Sequence, residues 1–179
     1  MTGTKQFDEI GSDELPTVVR ERTYTWADPL ETAGFGAGLS GLEFFTAMAE
    51  GRVSPPPILS TLGFEGITFE EGRVEFRLTP EEFHYNPIGS VHGGVFATLL
   101  DSALGCAVHT SLPAGVFYTS LDLSVKFLRP VSIATGPITA VGTVVHLGRR
   151  TALAEGRIVD AGGKVIATAT SSLLIMRPE

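Results

Sequence analysis

The sequence predicts an α+β protein: an antiparallel sheet curled around one long central helix, with an N-terminal extension that contains a short helix. Three observations lead there. Residues 93–109 form one apolar run that proline does not interrupt and that is too long for a strand. Six shorter stretches, two before this run and four after it, have the alternation or the β-branched and aromatic content of strands. Short Gly- and Asp-containing turns join several of them as hairpins, which makes their pairing antiparallel.

Taken in order, residues 1–57 read as extension and linker, and 58–179 as the main domain. Up to about residue 29 the chain is polar and mixed in charge, with Tyr24 and Trp26 expected to anchor it to the body. Gly34, Gly36 and Gly38 follow no strand-like run, so they read as a flexible loop and not as a phosphate cradle. Ser40 is placed to cap a short helix over 41–50, with Glu43 in the capping-box position. Ser54 and the three prolines after it read as a stiff connector.

Residues 63–70 and 73–79 read as a hairpin about Glu71-Gly72. In its second strand Val74, Phe76 and Leu78 alternate with charged residues, so one face is buried and one is wet. After the helix, 117–128 reads as a single strand in which Leu121, Leu123, Val125 and Phe127 alternate with Ser120, Asp122, Ser124 and Lys126. Strands over 136–147, 151–160 and 164–176 complete the set.

Composition narrows the function. With 43% hydrophobic and 18% charged residues over 179 positions, the chain has an ordinary globular balance. A net charge of −7 without a basic stripe argues against nucleic-acid binding. The first residues lack a charged-then-apolar leader pattern and no apolar run reaches membrane-spanning length, so the expectation is a cytoplasmic protein with no membrane partner. Cys106 is the only cysteine; it cannot form an internal disulfide and reads as a small core residue.

The chemistry concentrates at the long helix, whose apolar residues fall on nearly every face, as if protein encloses most of it. Before it runs a polar, broken loop, Asn86-Pro87-Ile88-Gly89-Ser90-Val91-His92, and the helix opens on Gly93-Gly94. Its first N–H groups have no partner within the helix, and the dipole adds about half a positive charge there. Asp101 places a carboxylate within the apolar run, where a charge is costly unless it is paired or used; it is either a functional group or a structural one hydrogen-bonded to a neighbour. Gly93 and Asp101 are eight residues apart, about 12 Å along a helix axis. A base and an oxyanion donor serving one carbonyl must both lie within a few ångströms of it, so one copy of the helix cannot supply both. If both act on one substrate, two antiparallel copies are required, which points to a two-fold dimer.

Asn86, Gly89, His92-Gly93-Gly94 and Asp101, with Thr119-Ser120-Leu121-Asp122-Leu123 and Phe127-Leu128-Arg129-Pro130-Val131, resemble the PaaI-like branch of the hotdog-fold acyl-CoA thioesterases. The likeness spans about 59–176. It implies the hotdog fold and hydrolysis of a coenzyme A thioester, as substrate and without a cofactor, at a dimer-interface site in a homodimer or homotetramer. Asp101 would be general base or nucleophile, and the Gly93 N–H would polarise the carbonyl. Asn86 and His92 would hold substrate or water, and Ser120 would support Asp101. The simple alternation along 117–128 would instead turn Thr119 inward. Gly94 belongs to the same donor-rich start. Arg129, Arg149 and Arg150, at strand ends, are candidates for the coenzyme A phosphates or are ordinary surface charge.

Other groups carry less. His84, His92 and Asp101 match no metal-ligand spacing, so no metal is expected. His109 and His146 read as a helix-end and a strand residue, and no serine sits in a nucleophile elbow. A hydratase or dehydratase on the same fold, or a non-catalytic acyl-CoA-binding protein, are the alternative readings.

Overall fold

The computed structural model describes residues 18–177; the stretches 1–17 and 178–179 lie outside the described residues. In the extension, Asp28 accepts from the Leu30 N–H and Pro29 opens the first turn of α1 (Pro29–Gly36). The helix takes in Gly34 and Gly36, which corrects the flexible loop expected there: a cap and an N1 proline outweigh the low helix propensity of the glycines. Ser40 caps α2 (Gly41–Ala49) through the expected capping box with Glu43. The expected connector also ends in a helix, α3 (Pro57–Leu62), again with proline at its first position.

Tyr24 and Trp26 stack on each other with centroids 5.7 Å apart, and Trp26 is 62% exposed, so they do not anchor this segment as expected. Arg22 does. Its guanidinium donates to the Ser60 and Thr61 carbonyls at the end of α3 and lies 4.0 Å from the Phe83 ring centroid.

Strands β1 (Phe64–Glu70) and β2 (Arg73–Leu78) pair as the expected hairpin, and α4 (Gly93–Thr110) follows after a polar loop. Then come β3 (Phe117–Ser120), β4 (Ser124–Phe127), β5 (Ile138–Leu147), β6 (Thr151–Asp160) and β7 (Val165–Met176). All pairs are antiparallel. The sheet order is β1-β2-β5-β6-β7, with β3 and β4 both on the far side of β7. Among the described residues no helix is long and apolar enough to cross a membrane.

The core lies between the curled sheet and one side of α4. Leu99, Leu100, Ala103, Leu104, Ala107 and Val108 are fully buried against Val74, Phe76, Ile138, Ala140 and Leu173. Burying each such leucine contributes about 1.5–3 kcal/mol. The helix sits close because the facing strands are small there: a Cβ added to Gly142 would stand 2.2 Å from the Ala103 carbonyl oxygen. The other side of α4 is open. Gly94 and Asp101 are exposed and Ala97, Thr98 and Ser102 half-buried, which corrects the expectation of a helix enclosed on most sides. The sheet curls around only one side of the helix within a single chain.

The single strand expected over 117–128 is broken. Ser120 pairs with Leu173 and Ser124 with Thr170, so four steps along this strand match three along β7. One residue is extra, and Asp122 fills the gap: its side chain accepts from the Ser172 N–H and its carbonyl from the Ser171 hydroxyl. Such a bulge switches which residues face inward. Tyr118 and Ser120 face the helix before it; Val125 and Phe127 do so after it, paired with Ala169 and Ala167 on β7.

Candidate active site

The loop before α4 is shaped by one side chain. Asn86 Oδ1 accepts from the Ile88 and Ser90 N–H groups at 3.1 and 3.2 Å, and its Nδ2 donates to the Ser90 hydroxyl at 3.1 Å. Gly89 completes the turn at φ +79°. His92 is then the helix N-cap, its Nδ1 accepting from the Gly94 N–H at 2.9 Å. The Gly94 N–H is therefore engaged within the loop and is not a free donor. The Gly93 N–H keeps no partner among the described residues. Gly93, Asn86, Phe96, Phe127 and Arg129 line one shallow cavity, and the Phe127 ring lies over Gly93, 3.1 Å from where a Cβ would stand.

Two turns along α4, Asp101 opens into a different cavity. Its carboxylate accepts from the Ser120 hydroxyl at 2.8 Å. This is the geometry the bulge produces, and Thr119 consequently stands on the outer face beside Leu174, away from Asp101. The buried carboxylate expected from the apolar run is instead exposed in the single chain, at the mouth of the cavity. That cavity, about 240 Å³, is otherwise mostly apolar. Asp101 and Gly93 thus face separate spaces in one copy, as their spacing requires.

Two residues inside the Asp101 cavity escaped sequence reading as site residues. Tyr118 precedes Ser120 on the same face, and His109 stands two turns beyond Asp101 on α4. The i, i+8 spacing from Asp101 to His109 was the available signal. The His109 ring packs against Phe44, Phe45 and Tyr118 with centroids 5.5, 5.6 and 5.7 Å away, and burial lowers its pKa. Burial also pushes the Cys106 thiol up to about 12, so it stays protonated and is no nucleophile. Tyr118 is raised by the same cause.

The thioesterase superfamily pattern matches residues 88–167. Over 144 residues the chain is 32% identical to a Halobacterium salinarum protein named as an esterase, spanning 74% of this chain and 93% of that one. The chain belongs to the thioesterase superfamily. It is also 25% identical over 117 residues to a protein of Listeria monocytogenes named 1,4-dihydroxy-2-naphthoyl-CoA hydrolase, covering 65% and 94% of the two chains. The Escherichia coli protein named acyl-coenzyme A thioesterase PaaI is 29% identical over 106 residues, 59% of this chain and 73% of that one. Its solved structure superposes at a TM-score of 0.66, with 25% identity, over 77% of this chain and 96% of that one. The architecture is the hotdog fold of the superfamily.

Within that fold the arginines separate. Arg129 lines the Gly93 cavity and its guanidinium donates to the Val165 carbonyl at the start of β7. Arg149 and Arg150 lie in the β5–β6 turn at the other end of β7, where their carbonyls accept from Arg177 and Ile175. One chain does not bring the three arginines together. His84 is buried, with Nδ1 accepting from the Glu81 N–H and Nε2 donating to the Leu62 carbonyl at 2.8 Å. It ties the end of α3 to the segment that leads into the loop before α4. Among the described residues no group of three metal-ligating side chains forms.

Proposed function

We propose that the protein hydrolyses an acyl-CoA thioester to the free acid and coenzyme A. The observation that carries this reading is the Asp101 carboxylate, oriented by Ser120 at the mouth of an apolar cavity, with the Gly93 N–H, unpartnered among the described residues, on the same helix. Two relatives are named for hydrolysis of coenzyme A thioesters, which supports the choice of substrate.

The thioester carbonyl is electrophilic without further activation, so a base and one hydrogen-bond donor suffice and the reaction uses no cofactor. Asp101 takes a proton from water as the water oxygen bonds to the carbonyl carbon; attack by the carboxylate itself is the other route. The carbonyl oxygen, gaining charge, accepts from the Gly93 N–H at the positive end of α4. The tetrahedral adduct collapses, the C–S bond breaks, and the sulfur leaves with the proton that Asp101 held. Arg129, beside Gly93, is positioned to meet a phosphate of the coenzyme A.

Because the two groups are about 12 Å apart along α4, the working site pairs Asp101 of one copy with Gly93 of another. The open side of α4 and the outer edge formed by β3 and β4, with Leu121 58% and Phe127 57% exposed, support a homodimer, alone or doubled into a tetramer. A thiol-release assay with a panel of acyl-CoAs tests the reading: the thioesterase liberates coenzyme A. Binding without release would leave an acyl-CoA-binding protein, and addition or loss of water with the thioester intact would leave a hydratase or dehydratase.

A further inference from the structure

The wall of the Asp101 cavity opposite α4 comes from the two short helices that precede the sheet. Along α4 the cavity runs from Asp101 past Cys106 to His109, eight residues or about 12 Å. Across from that line stand Phe44 and Met48, one turn apart on α2, with Ile58 and Leu59 of α3 beside them. All four precede β1, the first strand of the sheet.

The wall is held firmly. The Gly41 N–H donates to the Leu112 carbonyl at 3.0 Å, and α2 lies so close to the end of α4 that a Cβ on Gly41 would come 1.7 Å from the His109 carbonyl oxygen. Phe45, fully buried, wedges between Phe69 and His109. Phe44 then closes over the His109 ring from the cavity side. The far end is therefore a floor of His109 and Phe44, and Met48, one turn on from Phe44, continues the same wall.

The cavity's dimensions limit what enters. Its 240 Å³ exceeds the ~150 Å³ that encloses a benzene ring. Carbon–carbon bonds of about 1.5 Å advance an extended chain by ~1.25 Å per atom, so about 12 Å admits about nine to ten carbons beyond the carbonyl. A single ring on a short tether fits the same space.

We propose that α2 is the acyl-length gauge of this site, with Phe44 and Met48 stopping the acyl group over His109. The inference rests on the thioesterase reading of Asp101, and its test separates the two. Relative kcat/KM is measured on butyryl-, octanoyl-, dodecanoyl- and palmitoyl-CoA for the unaltered protein, Met48→Ala and Met48→Trp. The unaltered protein favours octanoyl-CoA or shorter, with dodecanoyl-CoA at least about tenfold poorer, since each misfitted methylene in an apolar pocket weighs about tenfold or more. Met48→Ala raises the dodecanoyl-to-butyryl ratio about tenfold, and Met48→Trp lowers the octanoyl-to-butyryl ratio by a similar factor. If the unaltered protein prefers palmitoyl-CoA, or if both variants keep its profile, the gauge is overturned while the thioesterase reading stands. If no acyl-CoA of any length releases thiol, both are overturned.

Discussion

The Ser120 hydroxyl donates to Asp101 Oδ1 across 2.8 Å, joining the last residue of β3 to the middle of α4. The bond exists because Asp122 adds one residue to the edge strand, turning Ser120 inward where unbroken alternation would turn it out. It holds one carboxylate oxygen in place at the cavity mouth.

Asp101→Asn keeps the size and the acceptor for Ser120 but removes the base. Thiol release from the best acyl-CoA is expected to fall about 10²- to 10⁴-fold with the circular dichroism melt unchanged. Ser120→Ala removes only the positioning bond; hydrogen bonds to charged groups contribute about 1.5–3 kcal/mol, so kcat falls about tenfold or more and KM little. A variant Asp101→Asn that turns over at the native rate removes this carboxylate from the mechanism.

Sharing of the site between copies has a direct readout. Asp101→Asn and Gly93→Val are each expected to be inactive alone: the valine side chain meets the Phe127 ring and disturbs the helix start. Unfolded together and refolded, they form mixed dimers in which one of the two sites is intact, restoring about one quarter of native activity at random pairing. A mixture as inactive as its components refutes the shared site.

The closeness of helix and sheet gives a stability prediction. Gly142→Ala puts a methyl group into the Ala103 carbonyl and forces α4 off β5, a loss of about 3 kcal/mol or more. Gly66→Ala, whose methyl group meets open space on β1, is expected to change stability by less than about 0.5 kcal/mol. Urea denaturation midpoints of the two variants measure the contrast.

Acid is expected to weaken the fold through two histidines. Burial lowers the pKa of both His84 and His109 below 6.5, so each stays neutral in the folded chain at pH 7. The unfolded chain takes up the protons first as pH falls. Stability is therefore level above about 6.5 and declines below it, toward the lowered folded values. His109→Leu removes one of the two protonation sites, so the decline of the urea midpoint between pH 7 and 5 should become shallower. An unchanged slope would mean that His109 is as readily protonated in the folded chain as in the unfolded one.

Much of this architecture is legible from local pattern. The apolar run became α4 with one residue added, β6 spans the expected residues, and Ser40 and Glu43 form the capping box that their spacing announces. Each of these depends on residues a few positions apart. The glycines of α1 and the prolines before α3 misled because a single residue type was read as loop while the cap or N1 position beside it was not. The alternation that would turn Thr119 inward holds only while paired strands stay in step. Arg129 and Arg150 read alike as strand-end charges, and only the course of β7 puts them at opposite ends of the sheet.

The order of residues alone settled that one helix carries both Gly93 and Asp101 and that their separation is too great for one carbonyl, because helical rise is a constant of the backbone. Folding in three dimensions decided which hydroxyl meets Asp101 and which residues close the cavity beside it. The extra residue at Asp122 is recognisable only by counting against β7, about fifty positions away. The approach of α2 to His109 likewise joins segments nearly seventy residues apart. Contacts of that range are set by how the layers pack, and periodicity within a short window carries no record of them.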